Sequence, residues 1–196
     1  VWQAEAGHSG EVIHITRALS DFFRISLSSG ADWIPLAQEL KHLSGYLSIQ
    51  KARYRDILNY VIDVPADLGE SYVLKLLLQP LVENAIYHGI KDRRGGGLIT
   101  VTGREDGGFL CFCVQDTGRG MTPDQLRDVR ARMRGELPPA YAPYANAGTG
   151  FGLNNVDRRI RLYYDQEEGL SIESGPEGTR VSFRVPRKTR EEIVDG

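Results

Sequence analysis

Apolar residues at the start of the chain recur at helical spacing. Over residues 11–27 they fall at Val12, Ile15, Leu19, Phe22 and Phe23, and Ser28-Ser29-Gly30 ends the run. A second series, Leu36, Leu40, Leu43, Leu47 and Tyr54 with Gln50 in the seam, advances in alternating steps of four and three, the spacing of helices packed side by side. Two amphipathic helices in succession predict a hairpin. A hairpin alone offers little surface to cover both stripes, so pairing into a four-helix bundle with a second copy is the economical expectation. The alternative is that the chain's own domain covers them.

From Ile57 the period changes. Ile57, Tyr60, Ile62 and Val64 roughly alternate and Pro65 closes them, which predicts a strand. Residues 73–90 read as a helix interrupted or kinked at Pro80. Further strands are predicted over 98–102, 109–116, 170–173 and 181–185, with hairpin turns at Gly107-Gly108 and Glu177-Gly178. Helical patterns cover 123–133 and 153–164, while 135–147 lacks any period and reads as a loop. The fold class expected is α+β: a two-layer sandwich in which a mixed, mostly antiparallel sheet is covered by helices, preceded by the helical hairpin.

Composition narrows the partners. A chain of 196 residues holds one main core and a helical appendage. The formal charge of -2 with interspersed signs argues against direct contact with nucleic acid. Cys111 and Cys113 share one strand face, too close in sequence for an unstrained disulfide and without the partners of a metal site. No stretch approaches the roughly 20 apolar residues of a membrane span. The start at Val1-Trp2-Gln3, with no initiator Met, suggests a segment excised from a longer protein.

Four segments carry candidate chemistry. In Gln79-Pro80-Leu81-Val82-Glu83-Asn84-Ala85-Ile86-Tyr87-His88-Gly89 a buried stripe leaves Asn84 and His88, four apart, on one face. An amide oxygen suits Mg²⁺, and a His one turn on could reach phosphates sharing the ion. Taken alone, a solvated helix face is the stronger explanation of these residues. In Asp116-Thr117-Gly118-Arg119-Gly120-Met121, Asp116 shares its strand face with Leu110, Phe112 and Val114 and so points inward, where it needs a donor such as an adenine amine. An ordinary turn Asp is the alternative. Gly148-Thr149-Gly150-Phe151-Gly152-Leu153 runs into a helix, an arrangement that binds anions, though no Gly-Lys-Ser or Gly-Lys-Thr follows as in a P-loop. Gly175-Pro176-Glu177-Gly178-Thr179 offers a Thr hydroxyl near the base or Asp116 and is otherwise a plain hairpin turn.

In order and spacing these four segments resemble the nucleotide-binding boxes of the GHKL superfamily, which includes histidine kinases, gyrase B, Hsp90 and MutL. The resemblance covers residues 57–186 and implies a Bergerat-type pocket for ATP or ADP with Mg²⁺. By it Asn84 would hold Mg²⁺, Asp116 would bind the adenine amine, and Gly118 and Gly120 would line the base. Gly148, Thr149, Gly150, Gly152 and Leu153 would wrap the phosphates together with His88 and Lys91, and Thr179 would back the adenine. Residues 121–147 would form the ATP lid. In the hydrolytic branches a Glu stands four residues before the metal-binding Asn, where this chain has Pro80, and proline cannot take a proton.

A second resemblance spans nearly the whole chain. Residues 18–27, Glu39-Leu40 through Gln50, Arg53-Tyr54 and residues 78–89 are similar to sensor histidine kinases of the LytS/YesM type. In that family the phosphorylated His sits in a Pro-His-Phe motif before the Leu-Ser-x-x-Phe-Arg helix, and His8, His14, His42 and His88 lack its flanks. The division expected is residues 1–56 as partial dimerisation helices, 57–187 as the ATP-binding catalytic domain, and 188–196 as a tail. No catalytic residue is expected in the segment itself, the acceptor His lying upstream. The resemblance further implies a homodimer, a cognate response regulator and a cytoplasmic segment of a membrane-anchored sensor. A GHKL protein-serine kinase of the anti-sigma-factor type, or a nucleotide-dependent binding module that transfers nothing, is the alternative.

Overall fold

The computed structural model describes residues 32–91, 93, 95–137 and 151–194. The helix expected over 11–27, His8 and His14, most of the aperiodic loop, and Gly148, Thr149 and Gly150 lie outside the described residues. Strand β1 (Trp33–Pro35) leads into helix α1 (Leu36–Tyr54), followed by β2 (Leu58–Asp63), a 3-10 turn (Ala66–Glu70) and β3 (Tyr72–Leu74). Helix α2 (Leu78–Asn84) runs on as a π-helical turn (Ala85–Ile90) into β4 (Gly97–Asp106) and β5 (Phe109–Asp116). Helices α3 (Pro123–Met133) and α4 (Phe151–Tyr163), strands β6 (Ser171–Gly175) and β7 (Gly178–Pro186), and a last turn of helix, α5 (Arg190–Val194), complete the order.

The main sheet runs β2-β4-β5-β7-β6, with β2 parallel to β4 and every other pair antiparallel. Alternation decides its faces. Ile99 and Val101 of β4, Leu110, Phe112 and Val114 of β5, and Val181, Phe183 and Val185 of β7 are buried in one cluster with Leu81, Val82 and Ile86 of α2 and Val156 and Ile160 of α4. The intervening residues, among them Thr102, Cys111, Cys113 and Ser182, face the other way, so among the described residues helices cover one side and the architecture is the expected two-layer α+β sandwich. Both cysteines are free and half-buried. Two consecutive glycines with positive φ, Gly107 at 58° and Gly108 at 81°, turn β4 back into β5.

Two expectations are changed. The spacing predicts one helix over 73–90, but Ile34 and Trp33 pair with Val73 and Leu74 in a small antiparallel sheet, so the segment begins as strand. Leu76 then takes φ 61°, a left-handed conformation that no α-helix contains, and α2 starts only at Leu78. Pro80 therefore sits in a first turn, where its missing N–H costs no helical bond. The second change concerns α1. Its predicted stripe is covered by the chain's own domain: Leu36, Leu43 and Leu47 are fully buried in the same cluster as Leu58, Leu77 and Leu81. The hydrophobic core thus extends across the expected division at residue 57.

Candidate functional site

Asp116 closes β5 on its buried face and is 3% exposed. Its Oδ1 accepts from the Gly118 amide at 2.7 Å, and the backbone amide of Thr179, its cross-strand neighbour, also holds it. Burial pushes the carboxyl above the ordinary aspartate range, a shift the Gly118 and Thr179 amides and the Arg93 charge partly offset. Backbone closes on the group from two sides. A Cβ at Gly89 would lie 2.6 Å from Asp116 Oδ1, and one at Gly118 would lie 2.4 Å from the same oxygen and 2.4 Å from Gly89 Cα. Only glycine allows that approach. The Thr179 hydroxyl shares a 2.8 Å hydrogen bond with Ser174 Oγ, which also accepts from the Met121 amide at 2.9 Å, so both turns flanking Asp116 are tied together.

Beside this cluster opens a cleft of about 210 Å³. Asn84 from α2, His88 from the π turn, Gly120 and Met121, Arg132 and Val129 from α3, and Leu153 from α4 surround it. A π turn widens the helix locally and often marks a functional site; here it carries the backbone from Asn84 to Gly89, against Asp116. Two arginines, Arg119 and Arg132, and one carboxylate, Asp128, stand among otherwise largely apolar walls. Arg132 lines it, and its Nε is buried with no hydrogen-bond partner among the described residues. Replacing Arg132 with Met is expected to weaken binding of a triphosphate more than of a nucleoside, by about tenfold, as measured by titration calorimetry.

The sequence-predicted residues separate into groups. Asn84, His88, Gly120 and Leu153 meet around the cleft, and Asp116, Gly118 and Thr179 form the adjoining cluster. Gly152 faces Pro80, whose Cβ would lie 3.5 Å from an added Cβ, so Pro80 packs the start of α2 against that of α4. Lys91 is not in the cleft: it is exposed past the π turn, with Nζ 5.9 Å from the Tyr87 ring centroid. Glu83 also lies off the cleft and accepts from Gln79 Nε2 at 2.7 Å. Gly89, Arg119 and Arg132 are the site residues that sequence reasoning passed over. A larger depression of about 690 Å³ lies on the open face of the sheet, away from this chemistry.

Residues 69–189, more than half of the chain, match the family model of histidine kinase-, DNA gyrase B- and HSP90-like ATPases. The chain belongs to this ATPase family. Residues 2–58 match a histidine kinase model. Among curated relatives of this ATPase chain, the sensor histidine kinase YpdA of Escherichia coli K12 is 34% identical over 171 residues, 87% of this chain and 28% of that protein. The sensor histidine kinase BtsS of the same strain is 31% identical over 179 residues, 91% of this chain and 28% of its own length. The sensor protein LytS of Streptococcus agalactiae serotype V is 33% identical over 177 residues, 89% of this chain and 28% of that protein. The chain thus spans little more than a quarter of the relatives it matches. The fold is shared with the histidine kinase domain of the Erythrobacter litoralis EL346 blue-light activated kinase, at 20% identity and TM-score 0.55 over 99% of this chain and 85% of that one. The catalytic domain of histidine kinase ThkA gives TM-score 0.57 at 15% identity, covering 80% and 95%.

Proposed function

We propose that this chain is the ATP-binding catalytic part of a two-component sensor histidine kinase, which passes the γ-phosphoryl group of ATP to a histidine other than His8, His14, His42 and His88. The observation that carries the reading is the joining of a buried carboxylate, Asp116, to a cleft lined by an amide, Asn84, and a guanidinium, Arg132. Asp116 accepts from the adenine amine, and Gly118, Gly120 and Thr179 frame the base. Asn84 supplies a hard oxygen for Mg²⁺, which when bound screens the charge of the phosphates. His88, Arg132, Leu153 and the loop carrying Gly148, Thr149 and Gly150 surround the phosphates. The bond from the γ-phosphorus to the bridging oxygen breaks, a nitrogen–phosphorus bond forms, and ADP leaves. Water is a poor competitor, because Pro80 stands where a general base would act and Glu83 lies off the cleft.

The match of residues 2–58 to a histidine kinase model supports a homodimer through helices of that region, and a response regulator as the next phosphoryl acceptor. Among the described residues no helix is long and apolar enough to cross a membrane, and a membrane anchor elsewhere in the parent protein is part of the same proposal. Calorimetry with a non-hydrolysable ATP analogue tests the pocket. Asn84→Ala is expected to remove about tenfold of affinity in Mg²⁺ and almost none in chelator, as befits loss of one metal ligand. The chain alone is expected to bind ATP without forming phosphohistidine, and an acid-labile phosphate on it after incubation with ATP would place the acceptor among its four histidines.

A further inference from the structure

The first amides of α2 are satisfied from another helix. Glu39 of α1 is 1% exposed, its Oε1 accepting from the Leu77 and Leu78 amides at 2.9 and 3.0 Å and its Oε2 from the Leu76 amide at 2.9 Å. These donors have no partner within a helix, and a carboxylate opposite them is favoured by charge and by the helix dipole. The residue at the N-cap itself, Leu77, contributes no side-chain cap. To reach these amides Glu39 must leave water, which pushes its carboxyl above the usual glutamate range. The cost fits a group that fixes two elements to each other.

A second clamp grips the same segment. Arg159 of α4 donates through Nη2 to the Lys75 carbonyl at 2.7 Å and through Nη1 to the Leu76 carbonyl at 3.3 Å, and the Tyr164 hydroxyl accepts from the Leu74 amide at 3.2 Å. Leu76 is held between Glu39 and Arg159 at φ 61°, a strained conformation for leucine that persists only where its surroundings enforce it. The segment leads directly into α2, which carries Asn84, while α4 begins with Gly152 and Leu153.

We propose that Glu39 is a positioning residue, which with Arg159 sets Asn84 on α2 against the phosphate-facing start of α4 and ties α1 to the metal end of the nucleotide site. The inference rests on the reading of Asn84 as a Mg²⁺ ligand. It means that a shift of α1 along its axis is delivered to Asn84 through the Leu76–Leu78 amides.

The test is calorimetric titration of the full chain with a non-hydrolysable ATP analogue in Mg²⁺ and with ADP in chelator. Glu39→Gln turns an NH₂ group toward one of three amides. It is expected to weaken the Mg²⁺-dependent binding about tenfold and leave ADP binding in chelator within about twofold. In the Asn84→Ala background it is expected to change neither. Equal loss in both titrations, full additivity with Asn84→Ala, or no loss in a folded variant overturns the proposal. If Asn84→Ala alone changes nothing, the metal reading itself is wrong and the role of Glu39 falls with it. Should Glu39→Gln unfold by circular dichroism, Arg159→Lys, which keeps the charge but loses the two-carbonyl grip, decides by the same criteria with an expected loss of about threefold.

Discussion

Replacing Asp116 with alanine is expected to abolish measurable adenine-nucleotide binding, ADP in chelator included. A hydrogen bond to a charged group contributes about 1.5–3 kcal/mol, or roughly 10- to 100-fold in affinity. The loss here belongs at the upper end or beyond, because the amine of a bound base would enter a dry site with no acceptor. Asp116→Asn should lose nearly as much: its oxygen can keep the Gly118 amide, but its NH₂ then meets the adenine NH₂. Guanine nucleotides serve as the control, since neither variant removes an interaction they make. The pH dependence has a definite sign. Only the ionised carboxyl offers a free oxygen to the amine, and burial raises its pKa above the ordinary aspartate value. Affinity therefore declines on acidification, and the decline begins at a higher pH than an exposed aspartate would give. The Asn variant should show no such decline from this residue.

What could be read beforehand divides along physical lines. Strand β5 and helix α3 are legible to the residue. Alternation from Phe109 to Asp116 decides one and helical spacing the other, whose start the structure shows held by a capping box of Thr122 and Gln125. Asp116 is legible for the same reason, since its parity with Leu110, Phe112 and Val114 sends it inward. Residues 73–77 are not, because Val73 and Leu74 suit a helix or a strand locally, and their pairing with Ile34 and Trp33 is visible only in three dimensions. The cationic wall of the cleft is equally hidden. Arg127, Arg130, Arg132 and Arg134 look alike in sequence. In the structure Arg127 pairs with Asp124, Arg130 donates to the Ile172 carbonyl and Arg134 pairs with Glu136. Arg132 lines the cleft, its Nε buried and without a hydrogen-bond partner among the described residues. Lys91 is placed by what its surroundings do in three dimensions: the π turn ends before it, and its exposed side chain lies near the Tyr87 ring rather than lining the cleft.

The largest effect on stability is expected from removing residues 1–56, a cut that the change of period at Ile57 would recommend. Such a chain should fail to fold, as judged by a missing cooperative transition and full amide exchange. Leu36, Leu43 and Leu47 have no exposed surface and Tyr46 very little, all within the core shared with the sheet domain. Each buried leucine lost to a cavity costs about 2–5 kcal/mol, so three together match the roughly 5–15 kcal/mol by which a domain is stable. The loss goes beyond apolar contact. Without Glu39 the Leu76, Leu77 and Leu78 amides face bare core, and without β1 the strand carrying Val73 and Leu74 has no partner in its small sheet. A point variant separates these contributions. Leu47→Ala leaves Glu39 and β1 in place, so it should lower the free energy of unfolding by about 2–5 kcal/mol while a folded population still binds nucleotide. Were the 57–196 chain instead to unfold cooperatively and bind nucleotide as the full chain does, α1 would be an appendage rather than a wall of the domain.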